Sequence, residues 1–282
     1  MQDYGYYGPD STTWKIVSEA VLTLAGTRAV LMQLAHPLVA MGVSVHSSYM
    51  TDPLGRTERT FILGQLLTFG SQATARQAAH TINQLHTHVH GTLQTQAGAF
   101  ANGTFYRARD PELLLWVHAT LVDTILYAYP LFIGPLSQDE QERYYQESKI
   151  LANLLGLPYA HMPKTVDDLR KYVDDMVHSH NMAATPEARQ LVYQVFFPPT
   201  PAMLRPLLHL NYYITCALLP QPIREIYDLA WSPQQQRGFD FFTRCLRGIL
   251  PYLPTNWRTL AITRRIMQQG ALTYHAASLK NI

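Results

Sequence analysis

The sequence predicts an all-α protein. Apolar residues recur at spacings of three and four along almost the whole chain, and no stretch of strand length alternates polar and apolar residues convincingly. Proline and glycine supply the punctuation. Asp52-Pro53-Leu54-Gly55, Asp110-Pro111, Gly156-Leu157-Pro158, Phe197-Pro198-Pro199, Leu219-Pro220 and Ser232-Pro233 fall between periodic segments, where these residues end or start helices.

In chain order the periodicity places helices near 13–35, 57–69, 71–98, 111–130, 138–156, 166–181, 186–195, 203–218, 221–229, 233–249 and 256–268. Several starts have a specific cause. Ser11 or Thr12 is positioned to cap the first helix. Asp110 before Pro111 offers a cap oxygen followed by a preset φ, and Ser137 with Glu140 has the spacing of a capping box. There is no internal repeat or low-complexity linker. The stretch from Phe197 to Pro206 is the richest in proline, but apolar helices on both sides are expected to share one core, so 1–282 reads as a single globular multi-helix domain.

Composition narrows the function classes. With 282 residues, 47% hydrophobic and 15% charged, the chain can enclose one large core. Its net charge is +2 and no run of Lys or Arg exceeds two, so the footprint of a nucleic-acid binder or a polybasic membrane anchor is missing. Cys216 and Cys245 are too few for a disulfide framework and have no CxxC spacing. The residues after Met1 have neither a basic start nor an apolar stretch, and a cytoplasmic protein is expected. The most apolar stretches, Val21 to Val45 and Leu113 to Leu136, are interrupted by Arg28, His36 and Pro37 and by His118, Asp123 and Pro130. Ionisable groups at the centre of a span are expensive, so buried core helices rather than an integral membrane segment are expected.

The chemistry-bearing residues are mostly histidines, twelve in all. In His86-Thr87-His88-Val89-His90, a continuous helix would put His86 and His90 one turn apart on one face, a geometry open to a metal, to haem iron or simply to a polar face. No Glu follows the first His, as a zinc-protease helix would require. His36 lies in an apolar run, where a buried imidazole needs a hydrogen-bond partner or a metal, and it stands second as a ligand candidate. His118 on an apolar helix reads as a satisfied core residue. Arg56 and Thr60 share a helical face with Arg59 beside them, which suits stabilisation of a bound oxygen species or an anion. Ser47 and Ser48 lack a GxSxG setting, and there is no phosphate loop or dinucleotide-binding glycine fingerprint.

Read in order, several segments between Trp14 and Trp231 resemble the rubber-oxygenase (latex-clearing protein) and MpaB-type oxygenase catalytic-domain family. They are Gly26-Thr27-Arg28 with Gln33-Leu34-Ala35-His36-Pro37, Arg56-Thr57-Glu58-Arg59-Thr60, Phe69-Gly70 and His86-Thr87-His88-Val89-His90-Gly91. Further on come Tyr106-Arg107-Ala108-Arg109-Asp110-Pro111 with Trp116-Val117-His118, Leu154-Leu155-Gly156-Leu157-Pro158 with Pro163-Lys164-Thr165, and Leu219-Pro220 with Arg224, Tyr227 and Trp231.

The resemblance implies a b-type haem in a globin-like helical core, O₂ or peroxide as co-substrate, and oxidoreductase chemistry. The family's proximal histidine opens an H-x-x-V-x-G motif, which selects His86 as iron ligand over His88 and His90. Its distal Arg and Thr fall at Arg56 and Thr60, and its distal Lys at Arg59, where a guanidinium keeps the charge but loses a compact proton donor. At His90 the rubber-cleaving members carry Arg. Arg28, a charge within an apolar helix, is assigned to a haem propionate. The expected substrate is a small apolar molecule other than polyisoprene. The rival readings are a haem sensor or carrier without turnover and a non-haem metal protein built on His86, His90 and His36.

Overall fold

The computed structural model describes residues 3 to 270. Their regular elements are α1 (Thr12–Val17), α2 (Gly26–Leu34), α3 (Pro37–His46), α4 (Pro53–Phe69), α5 (Gln72–His88), β1 (His90–Thr92), β2 (Phe105–Arg107), α6 (Pro111–Phe132), α7 (Gln138–Leu154), α8 (Val166–Val177), α9 (Pro186–Phe196), α10 (Arg205–Leu218), α11 (Gln221–Ile226), α12 (Pro233–Ile249), α13 (Thr255–Arg258) and α14 (Ala261–Gln269), joined in places by short 3₁₀ turns. The fold is predominantly α-helical. Its one sheet among the described residues is the antiparallel pair β1 and β2, with Gly91 opposite Tyr106.

Helix starts follow the expected chemistry. Ser11 caps α1, accepting from Trp14 N at 3.0 Å, and Asp110 caps α6, accepting from Glu112 N at 2.9 Å. The Ser137 and Glu140 capping box closes in both directions, and Thr165 with Asp168 and Ser232 with Gln235 form two more. Helix α6 is the central element. Its buried face includes Trp116, Ala119, Val122 and Phe132, and it packs against α2, α7, α8 and α12. Among the described residues α6 is the one single helix long and apolar enough to cross a membrane, while the apolar segments Ala20–Leu34 and Pro37–His46 are bent by 106° at their junction.

Four sequence expectations are corrected. Pro130 does not end α6, which runs on to Phe132, because a proline removes only one hydrogen bond and can be absorbed near a helix end. The segment from 13 to 35 is α1, a 3₁₀ turn and α2, and α3 was not anticipated behind Pro37, which sits at its first turn. The helix expected over 71–98 stops at His88, and the chain turns into the β1–β2 hairpin. The helix expected over 256–268 is split at Thr259 and Leu260 into α13 and α14.

Polar groups fix the core. Arg28, 3% exposed, donates from Nε to the Leu218 carbonyl at 2.9 Å, from one terminal nitrogen to Thr124 Oγ1 at 2.6 Å, and from the other to Asp123 Oδ2 at 2.7 Å. Its guanidinium also lies 5.0 Å from the centre of the Tyr127 ring. One buried cation therefore ties α2 to α6 and α10. The Trp116 indole donates to the Met32 carbonyl at 3.2 Å and the Tyr227 hydroxyl to that of Leu31 at 3.1 Å, adding two clamps on α2.

Two histidines, buried His36 and half-buried His118, are held in the neutral form. His36, 5% exposed at the start of α3, packs its ring 5.1 Å from that of Phe100 in the hairpin loop, and its Nδ1 has no hydrogen-bond partner among the described residues. Burial pushes its pKa down to about 4, against an opposing pull from Asp110. His118 is also pushed down to about 4, by burial and then by the Lys149 charge, and its Nε2 lies 3.3 Å from Ser148 Oγ. The satisfied core role expected for His118 agrees with this contact.

Removing the anion from the α2–α6 pair strands a buried cation. Asp123→Ala is expected to cost about 3 kcal/mol in urea unfolding followed by circular dichroism, and Thr124→Val about 1 kcal/mol. An unchanged midpoint for Asp123→Ala would show that Arg28 does not hold the helices. The histidines predict the pH dependence. His36 titrates near 4 when folded and at its ordinary 6.5 when unfolded, so the unfolded chain binds more protons between those values. Stability is therefore full above about pH 6.5 and falls towards pH 4, by up to about 3 kcal/mol for this residue. Thermal melts at pH 7 and pH 5 should show the drop, and His36→Leu should reduce it.

Candidate active site

The site is assembled from the ends of elements. His86 lies in the last turn of α5, which is capped at its start by Ser71 and closes at Val89 in extended backbone (φ −92°, ψ 91°). The Val89 carbonyl accepts from Ala108 N at 2.8 Å, so the hairpin returns directly onto the end of the helix. A glycine at the hairpin allows this packing, and a second faces Val89 at ordinary contact distance. A Cβ at Gly91 would stand 2.9 Å from the Tyr106 hydroxyl, and one at Gly42 in α3 would stand 3.4 Å from a Val89 methyl. The Val and Gly of the H-x-x-V-x-G motif are thus packing positions that hold His86 where it is.

From the other side comes the start of α4, capped by Asp52. Arg56 on its first turn donates from Nε to Ser47 Oγ at 3.0 Å, and Ser47 immediately follows α3. Arg56 has no carboxylate partner among the described residues, and burial lowers its pKa, although a guanidinium remains charged. Arg59 is held by Asp52 Oδ2 at 3.0 Å and Ser48 Oγ at 2.9 Å. The exposed Thr60 turns its hydroxyl back to the Arg56 carbonyl at 2.9 Å.

His86 is half-buried. Its Nδ1 is out of reach of water and has no hydrogen-bond partner among the described residues. Its pKa is lowered first by burial and then by the charges of Arg56 and Arg109, so the ring is neutral at ordinary pH. The charges of Arg56, and of Arg109 from the segment between β2 and α6, both act on the His86 ring. Arg109 had no assigned role in the sequence, because a partner reached through a hairpin leaves no helical spacing to find.

Other expectations change. His90 is not one turn from His86 on the same helix. It opens β1 opposite Arg107, with an exposed side chain, and its carbonyl accepts from His46 Nε2 at 3.1 Å. His36 sits under Phe100, and no three His, Cys, Asp or Glu side chains converge on a metal position among the described residues, so His86, His90 and His36 do not form a ligand set. Arg28 spends its three nitrogens on Asp123, Thr124 and Leu218 in the core, which replaces the propionate partner expected for it.

No solved structure matches the chain. Two curated relatives, uncharacterised proteins of Mycobacterium bovis and Mycobacterium tuberculosis, are each 27% identical over 234 residues, covering 77% of this chain and 84% of the relative. Residues 14–248 match the family described as "ER-bound oxygenase mpaB/B'/Rubber oxygenase, catalytic domain". That span includes Arg56, His86 and Arg109 together with the hairpin that joins them. The chain therefore belongs to the mpaB and rubber-oxygenase family, and what it carries is an oxygenase catalytic domain.

Proposed function

We propose that the protein is a b-type haem oxygenase in which His86 is the proximal ligand and the helical core around it a globin-like haem pocket, acting on a small, predominantly apolar substrate. The observation that carries this reading is the His86 imidazole, half-buried, kept neutral by its surroundings, with Nδ1 unpartnered and a carboxylate-free Arg56 beside it. A neutral ring is the form that ligates iron. With no three-residue ligand cluster among the described residues, a cofactor that brings four ligands of its own and asks the protein for one fits this donor set better than a non-haem centre. When bound, haem would supply the activation of O₂.

The chain's own contributions follow from the geometry. Arg56 is held by Ser47 through Nε alone, which leaves its terminal nitrogens as hydrogen-bond donors to a developing negative charge. Arg59 is committed to Asp52 and Ser48, and a guanidinium does not release a proton at neutral pH, so Arg59 orients the first turn of α4 and adds charge rather than delivering protons. Thr60 fixes the Arg56 backbone through its hydroxyl. An oxygenase is favoured over a sensor or carrier by the family itself.

The test is an absorption spectrum of the protein expressed with a haem precursor, together with metal analysis by mass spectrometry. A Soret band with stoichiometric iron is expected, lost in His86→Ala and kept in His90→Ala. An unchanged spectrum in His86→Ala would remove the ligand assignment, and a colourless protein carrying zinc would replace haem with a non-haem centre. Arg56→Leu should keep the pigment while lowering substrate-dependent O₂ uptake by about 10²-fold.

A further inference from the structure

We propose that Arg109 is a carboxylate-binding residue beside the His86 site. The bond from Ala108 N to the Val89 carbonyl, 2.8 Å, places the next residue at the end of the helix that carries His86. Arg109 is exposed and makes no hydrogen bond or ion pair among the described residues. Arg28, Arg59, Arg170, Arg189 and Arg258 are each paired with a carboxylate; Arg109 shares its lack of a partner with other surface arginines such as Arg107 and Arg205, and differs from Arg205 in lying at the end of the helix that carries His86.

No carboxylate among the described residues forms an ion pair with it. From residue 59 to residue 109 the chain contains no Asp or Glu, while the same stretch carries four arginines and four histidines. Of the carboxylates around this stretch, Asp52 takes Arg59 and the Gly55 N–H, Asp110 caps α6, and the exposed Glu58 stands next to Arg59 on α4 and forms no ion pair with Arg109. A planar guanidinium with no protein partner is matched in geometry and charge to a carboxylate, which it can hold through two parallel hydrogen bonds. The Arg56 charge near His86 strengthens the same positive field.

Two sources could bring that carboxylate to the site. One is the pair of propionates on a porphyrin bound at His86, a deepening that rests on the haem reading. The other is the head group of a substrate that is apolar along its length and acidic at one end. The two share one chemistry and are separated by the probes.

Wild type, Arg109→Gln and Arg109→Lys are titrated with haem b and its dimethyl ester, followed by difference absorption, and with palmitate and hexadecanol, followed by isothermal titration calorimetry. Wild type is expected to prefer the carboxylate member of one pair by about tenfold, with the preference lost in Arg109→Gln and partly kept in Arg109→Lys. A preference in the porphyrin pair assigns Arg109 to propionates, and one in the lipid pair assigns it to the substrate head group. No preference in either pair, or a preference that Arg109→Gln leaves intact, overturns the proposal. Failure of the haem reading shows separately, as an absence of binding by both porphyrins while the lipid pair still reports on Arg109. Because Arg109 is exposed and without partners in the fold, the substitution should leave the melting temperature unchanged.

Discussion

A guanidinium taken out of water must find partners, and Arg28 finds them on two other helices at once. Its contacts with Asp123 and Thr124 on α6 and with the Leu218 carbonyl at the end of α10 fix the orientation of α2 within the core. The position of α3 follows, because the chain turns at His36-Pro37 directly after α2. Helix α3 in turn presents Gly42 to Val89 and ends next to Ser47, the residue that holds Arg56. A core ion pair remote in sequence from His86 thus sets the frame on which both halves of the candidate site are mounted.

The site itself belongs to no single element. It collects the end of α3, the first turn of α4, the last turn of α5 and the exit of the β1–β2 hairpin. Helix ends carry unsatisfied backbone groups and few packing neighbours, so side chains there can be turned towards a ligand at lower cost to the core than those at mid-helix. The hairpin packs closely onto this end of α5, and at Gly91 a side chain would press on the Tyr106 ring.

Much of this was legible in the sequence. Helical spacing and cap residues located most helices, since both are local properties written within a few residues of each other. Arg56 and His86 emerged from ordered motifs, and in the fold the Arg56 charge acts on the His86 ring. The hairpin was not legible, because Thr, Val and His continue a helical pattern acceptably and only pairing with residues 105–107 decides for strand. That miss displaced His90 from its supposed place beside His86 and hid Arg109. Arg28 was misread for a related reason: a charge in an apolar helix announces that it needs a partner, but its spacing does not say whether that partner is a cofactor or Asp123.

The uneven placement of charge has a kinetic meaning. Helices α7 and α8 hold eight acids against four bases (Arg143, Lys149, Arg170 and Lys171), whereas residues 59–109 hold four arginines and no acid. A net charge of +2 conceals this separation. Anions approaching such a molecule are drawn to its basic part before any contact forms, and they arrive faster than uniform diffusion allows. Dissolved salt shortens the reach of that field to about 8 Å at physiological ionic strength. For the carboxylate ligand proposed at Arg109, the capture rate would be set partly by residues that never touch it.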